Sequence, residues 1–207
     1  MTKQRHDSDV TRAELLTSGR QAFAEHGYTA AKTGEIVGQF GLTRGALYHH
    51  FDNKQGLFEA VVEQLQQDLT EEVNRRAASV DGDALQRLRA GTQAYLDFSL
   101  RSDARRILMT DGPAVLGWER WRDIDVRYAF GATRAGLQRA VDDGLIDDAV
   151  PVDELTHLLL GAITQAGIEI GRAAQPQETH ARYTSVIDFL VNRLRSEPAL
   201  PQSSRAS

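Results

Sequence analysis

Across twelve consecutive residues the chain places Thr43, Arg44, Tyr48, His49, His50 and Lys54, a dense run of hydrogen-bond donors. Donors of these types suit a polyanion with readable edges. Arg44 can give a bidentate pair to guanine O6 and N7, and Gly45 beside it lets a backbone come close. Tyr and His groups suit phosphate oxygens. Lys54 falls at the start of a following helix, whose positive end reinforces the lysine charge toward a phosphate. The neighbouring pair His49 and His50 invites a metal reading, but adjacent side chains on a helix point about 100° apart. Neither a cysteine nor a nearby acidic pair completes a ligand set, so no metal is expected.

Two short helices must hold these donors. Ile36, Val37 and Phe40 read as the apolar face of one over 33–39, and Ala46, Leu47 and Phe51 as that of another over 44–50. Gly41 between them supplies a positive φ for a sharp reversal. Leu42 is the buried turn residue, and Thr43 is the N-cap of the second helix. Short helices crossing at a glycine turn make a helix-turn-helix, whose second helix enters a major groove. The same turn also occurs in plain all-α packing, and on the turn alone both readings stand.

Around this pair the chain reads as helices, without a strand or an internal repeat. Residues 1–9 are polar and read as a disordered tail. A first helix is expected from Thr11, where Thr11 and Glu14 resemble a capping box, through Leu15, Leu16, Ala22 and Phe23 to His26-Gly27. A long helix from near Asn53 carries Leu57, Phe58, Val61, Val62, Leu65 and Leu69 and fades over 78–83. Further helices are predicted over 84–100, 103–110, 114–142, 152–173 and 177–196, with Pro113, Pro151 and Pro176 at or just before three of the starts. The expected division is a tail over 1–9, a DNA-binding unit over 10–54, a regulatory unit over 55–197 and a flexible tail over 198–207.

Composition removes several classes. Of 207 residues, 41% are hydrophobic and 26% charged, which is ordinary for a globular chain. With no cysteine there is no disulfide or thiolate chemistry. The polar N-terminus lacks a signal peptide, and the longest apolar run, 158–163, is far short of a membrane span, so a soluble cytoplasmic protein is expected. The net charge of −5 divides into +1 for residues 1–54 and −6 for the rest, a mild bias in the direction a small DNA-reading head needs. No clustered Ser-His-Asp set and no phosphate-cradling glycine loop is present, so neither an enzyme nor a bound cofactor is expected.

The spaced pattern Gly27-Tyr28, Thr33-Gly34-Glu35-Ile36-Val37, Gly41 through Phe51, Asn53-Lys54 and Leu57-Phe58 resembles the TetR family of repressors over about residues 11–62. The resemblance implies an all-α homodimer: three N-terminal DNA-binding helices, then six or so helices for ligand binding and dimerisation. Its partners would be double-stranded DNA carrying a palindromic operator, a second copy of the chain, and a small-molecule effector of unknown identity. Arg44, Gly45 and Ala46 fall where the family touches bases, and Thr43, Tyr48, His49 and Lys54 where it touches phosphate. The family commonly has Thr or Ser as N-cap of the first short helix, but this chain has Lys32 there. Either Thr33 caps one residue later, or Lys32 reaches a phosphate directly.

In the second half, the resemblance is confined to 111–117, Trp118, Trp121 and the Gly144-Leu145 region, which look like one C-terminal variety among such repressors. Phe98, Met109, Trp118, Trp121, Tyr128, His157 and Gln165 mix aromatic bulk with polar groups and are the candidate ligand pocket; ordinary core packing accounts for the same pattern. Stripes through Leu155, Leu159, Ile163 and Gly167, and through Tyr183, Ile187, Leu190 and Leu194, are the candidate dimer face, because the family pairs its last two long helices into a four-helix bundle. The competing readings are a helical protein that sequesters a small molecule without touching DNA, and a DNA binder that answers to no ligand.

Overall fold

Apolar residues recurring at three-and-four spacing give a chain built of helices alone among the residues described, which in this computed structural model are 2–196, with side chains from residue 8 onward. In order they are α1 (Thr2–Ala30), α2 (Thr33–Gly38), α3 (Arg44–Phe51), α4 (Lys54–Ala78), α5 (Ala84–Phe98), α6 (Ser102–Ala104), a π-helical segment (Arg105–Asp111), α7 (Gly112–Leu116), α8 (Trp118–Asp142), α9 (Val152–Arg172) and α10 (Pro176–Arg193). The expected tail over 198–207 lies outside the described residues.

Three features depart from the expected helices. α1 starts at Thr2 rather than near Thr11, so residues 2–9 are helical. They contain neither glycine nor proline, and a helix nucleated by the buried Leu15, Leu16 and Phe23 extends into such a run at one hydrogen bond per residue. The expected helix over 114–142 is broken, because Gly117 takes φ 80° and ψ 153° and separates α7 from α8. The stretch expected as a helix over 103–110 widens into π geometry, with the Thr110 hydroxyl donating to the Arg105 carbonyl at 2.9 Å. Single-turn widenings of this kind favour functional hinges.

The N-terminal head packs on one aromatic cluster. The Phe23 and Phe58 rings meet edge-on at 5.1 Å, and Tyr28 meets Phe58 at 5.1 Å. This joins α1 to the first turns of α4. Farther along α4, the buried Val61, Val62, Leu65 and Leu69 carry the same core on toward α5, α8 and α9. The π segment is locked onto α9 at close range: a Cβ on Gly171 would stand 2.5 Å from that of Met109. Replacing Phe58, which is fully buried, by alanine is expected to cost about 3–5 kcal/mol. Urea unfolding of the variant should show the loss as a lowered midpoint.

Candidate nucleic-acid interface and regulatory cavity

α2 is held against α1 by the buried Ile36 and Val37 and by the Ser18 hydroxyl, which donates to the Ile36 carbonyl at 2.5 Å. Beyond it, Gly41 takes φ 67°, and the Leu42 amide closes back onto the Val37 carbonyl at 2.8 Å. That left-handed step is open to glycine at little cost. Thr43 then stands extended, and its Oγ1 accepts from the Ala46 amide at 3.2 Å, capping α3. Leu47 and Phe51 bury the inner side of α3, which turns Arg44, Gly45, Tyr48 and His49 outward and leaves Ala46 half-buried. Phe40, expected on the apolar face of the first short helix, is instead 42% exposed beside the turn. It lies past the end of α2 at Gly38, where helical spacing no longer aims a side chain inward.

Lys32 is the N-cap residue of α2, with extended backbone and no side-chain cap bond. Thr33 is the first helical residue, so a cap shifted to it is not what the structure has. The Lys32 ammonium is exposed and pairs with Glu35 at 3.2 Å. Lys54 begins α4 behind the Asn53 cap, whose side chain accepts from the Gly56 amide at 2.9 Å. Its ammonium lies 4.5 Å above the Tyr28 ring, and burial lowers its pKa. Burial also lowers the pKa of His50, aided by the nearby charges of His49 and Arg12 and opposed by Asp9. Arg12 was missed in the sequence: its guanidinium stacks 5.2 Å from the Phe51 ring centre, at the edge of the same surface. Only its place one turn before Leu15 and Leu16 marked it.

A cavity of about 120 Å³ lies between α4, α5, α8 and α9. Leu69, Val73, Leu88 and Ile163 line its body, with Gln66, Tyr95 and Tyr128 at one end and Arg87 and Arg139 at the other. Of the seven candidate ligand residues, the structure brings only Tyr128 to it. Phe98, Met109 and Trp121 are buried in the core, while Trp118, His157 and Gln165 are exposed. His157 packs its ring at 4.7 Å on Phe130, and Gln165 bonds Glu169 at 2.9 Å. The lining was missed because it comes from helices far apart in sequence. Its trace was a polar residue recurring in an apolar stripe, as with Gln66 and Thr70 on α4.

The candidate dimer residues also divide. Leu159, Ile163, Gly167 and Ile187 are buried in the chain's own core, and Leu155, Tyr183 and Leu194 are half-buried against it. Leu190 alone of the set is exposed; Leu158, Val186 and Phe189 share that exposure on α9 and α10.

Polar contacts tie the head to the cavity-bearing bundle. Arg20 of α1 bridges Asp68 of α4 at 2.6 Å and Asp103 of α6 at 2.7 Å. Just past the kink at Gly27, where φ is 76°, the Tyr28 amide donates to Asp111 at 2.8 Å, and Arg106 donates to the His26 carbonyl at 3.1 Å. Both acceptor and donor belong to the π segment that packs on α9.

A capped, outward-facing second helix with an arginine at its start, set on a helical bundle with an internal cavity, defines a helix-turn-helix regulator of transcription. Residues 15–61 match the family model described as bacterial regulatory proteins, tetR family, and residues 85–194 match the tetracyclin repressor-like C-terminal domain. The chain belongs to the TetR family. It is 30% identical over 189 residues to the HTH-type transcriptional repressor AcnR of Corynebacterium efficiens, covering 89% of this chain and 93% of that one. It is 28% identical to the transposon Tn10 TetC protein of Escherichia coli over 159 residues, 76% of this chain and 79% of the relative. A crystal structure of a TetR-family transcriptional regulator from Pectobacterium atrosepticum superposes with a TM-score of 0.83 at 28% identity, covering 94% of this chain and 98% of that one. Members of the family bind DNA, usually as dimers, and are regulators rather than enzymes. No helix among the described residues is long and apolar enough to cross a membrane.

Thr43→Ala removes the cap of α3 and is expected to cost about 1 kcal/mol. Amide hydrogen exchange should quicken at residues 45–47 while the α4 core keeps its protection.

Proposed function

We propose that this chain is a cytoplasmic repressor that binds a palindromic operator as a homodimer and leaves it when a small molecule fills the cavity between α4, α5, α8 and α9. The observation that carries the reading is the outer face of α3, where Arg44 and Gly45 lie exposed at the N-terminal end that first meets base edges. Arg44, Gly45 and Ala46 are assigned to bases. Thr43, Tyr48, His49 and Lys54 are assigned to phosphates, with Lys32 and Thr33 at the start of α2 on the flanking backbone. Repression is favoured by the relatives named as repressors, AcnR of C. efficiens among them.

Dimerisation is assigned to the outer faces of α9 and α10. Leu158, Val186, Phe189 and Leu190 are large apolar side chains left 42–72% exposed there, a patch that marks an interaction site. Two such faces meeting about a two-fold axis set two α3 helices into successive major grooves, about 34–36 Å apart. The cavity communicates with them through α4, which lines it with Gln66, Leu69 and Val73 and carries Lys54 at its other end. A ligand that favours the spread dimer lowers DNA affinity by its differential affinity for the two states, typically about 1–3 kcal/mol.

On DNA selected from random sequence, Arg44→Ala should relax preference at one base pair by about 1–3 kcal/mol. Lys54→Ala should weaken all sequences alike and reduce the salt slope by about one. Wild-type binding by both variants sinks the contact assignment. Phe189→Glu with Leu190→Glu should give a folded monomer by light scattering, and an unaltered dimer would refute the interface. Ile187→Glu should unfold the chain instead, since Ile187 is only 3% exposed.

A further inference from the structure

We infer that the cavity between α4, α5, α8 and α9 takes a small organic anion, a carboxylate on one ring or a short chain, with its charged end at Arg87 and Arg139. The inference rests on the reading of that cavity as the effector site.

Charge is the first observation. Arg87 and Arg139 are the cations of the lining, and no Asp or Glu lines the cavity. Several guanidinium groups elsewhere in this domain are matched, Arg76 with Asp97, Arg89 with Asp188, Arg127 with Glu63, Arg134 with Asp153 and Arg195 with Asp83, although Arg172 and Arg182 make no ion pair among the described residues. Arg87 and Arg139 are exposed residues at the solvent end of the cavity and make no ion pair among the described residues, although the chain as a whole carries a net charge of −5. The Arg139 guanidinium folds back along α8 to 4.0 Å from where a Gly136 Cβ would sit, with Leu88 3.8 Å from the same point. A guanidinium pair without a protein carboxylate is a matched seat for a ligand carboxylate, which it can grip through two parallel hydrogen bonds.

Length and polarity are the second. Arg87 and Tyr95 stand eight residues apart on α5, about 12 Å along the axis. Leu69, Val73 and Leu88 line the space between and ask for an apolar ligand body. At the inner end Tyr95 lines the cavity, with its hydroxyl buried beside Thr164 and turned away from the space. Thr164 beside it donates its proton to Asp125 at 2.9 Å and accepts from Arg122 at 3.0 Å. The cavity volume of about 120 Å³ compares with the roughly 150 Å³ of an engineered apolar cavity that admits benzene. One ring, or a chain of similar bulk, fits.

The test uses full-length wild-type protein and matched probes: benzoate, 4-hydroxybenzoate and hexanoate against their neutral primary amides, by calorimetry and thermal shift. The carboxylates should bind at least tenfold more tightly than the amides. Arg87→Gln with Arg139→Gln should erase the tenfold preference while amide binding, weak as it is, persists. Amides binding as well as acids, a preference surviving in the double variant, or no binding by any carboxylate overturns the proposal. A parallel gel-shift of the wild type with DNA selected from random sequence separates the two levels. DNA binding without anion binding sinks this inference alone, and no DNA binding sinks the regulatory reading beneath it.

Discussion

An α-helix with its hydrogen-bond ladder intact moves as a rod, and α4 is a rod that runs through one continuous core from head to bundle. Its 25 residues span roughly 37 Å at 1.5 Å per residue. Phe58 and Leu57 near its start are packed into the head, and Leu65 and Leu69 farther on into the bundle. No proline interrupts it, and its glycine, Gly56, sits in the first turn. A shift imposed at the bundle end therefore reaches the head undiminished unless the packing around Phe58 yields, and a dense core yields in discrete steps rather than smoothly.

A rod alone would only pivot. The second tie between head and bundle runs through the π segment, and its chemistry is different in kind. Asp111 and Arg106 hold the backbone of α1 at its kink, while Met109 is wedged on α9 against Gly171. These are a few directional bonds to backbone groups. Such bonds have narrow geometric tolerance. Movement of α9 relative to α4 thus bears on the kink at Gly27 as well as on the helix behind α3. Arg20, bonded to α4 and α6 together, closes the loop between the two paths.

The reading head was legible in the sequence because its determinants are local. A glycine turn, a threonine cap and buried residues one turn apart fix α2 and α3 within twenty residues of chain, and Gly41, Thr43 and Leu47 do what their positions announced. The bundle was legible only as a set of helices. Three-and-four spacing says that α9 has an apolar stripe but not what covers it, and Leu159, Ile163 and Gly167 turned out to cover the chain's own core. Trp118 and Trp121, three apart, do meet at 5.3 Å between ring centres, yet one is 54% exposed and the other wholly buried. Trp118 is the first residue after the Gly117 bend, so no preceding helical turn lies beneath its ring. The cavity was hidden for a further reason: Gln66, Tyr95 and Tyr128 become neighbours only when three helices pack.

The polar cluster behind the cavity bears on how occupancy is felt. Asp125 is 1% exposed, and burial pushes its pKa up against the pull of Arg122, Thr164 and Gln66. Its oxygens accept from Gln66 of α4 at 3.2 Å and Thr164 of α9 at 2.9 Å, and pair with Arg122 of its own helix. An apolar cluster of the same volume would hold these helices at least as firmly. What the apolar alternative lacks is direction: the carboxylate joins α4, α8 and α9 in one register, and Gln66 also lines the cavity. A ligand that draws toward itself the Gln66 N–H now held by Asp125 must break that bond. A hydrogen bond to a charged group is worth about 1.5–3 kcal/mol, the same scale as the coupling between two sites of a typical regulator. One such exchange, at the middle of α4, is energetically sufficient to bias the rod that ends at Lys54.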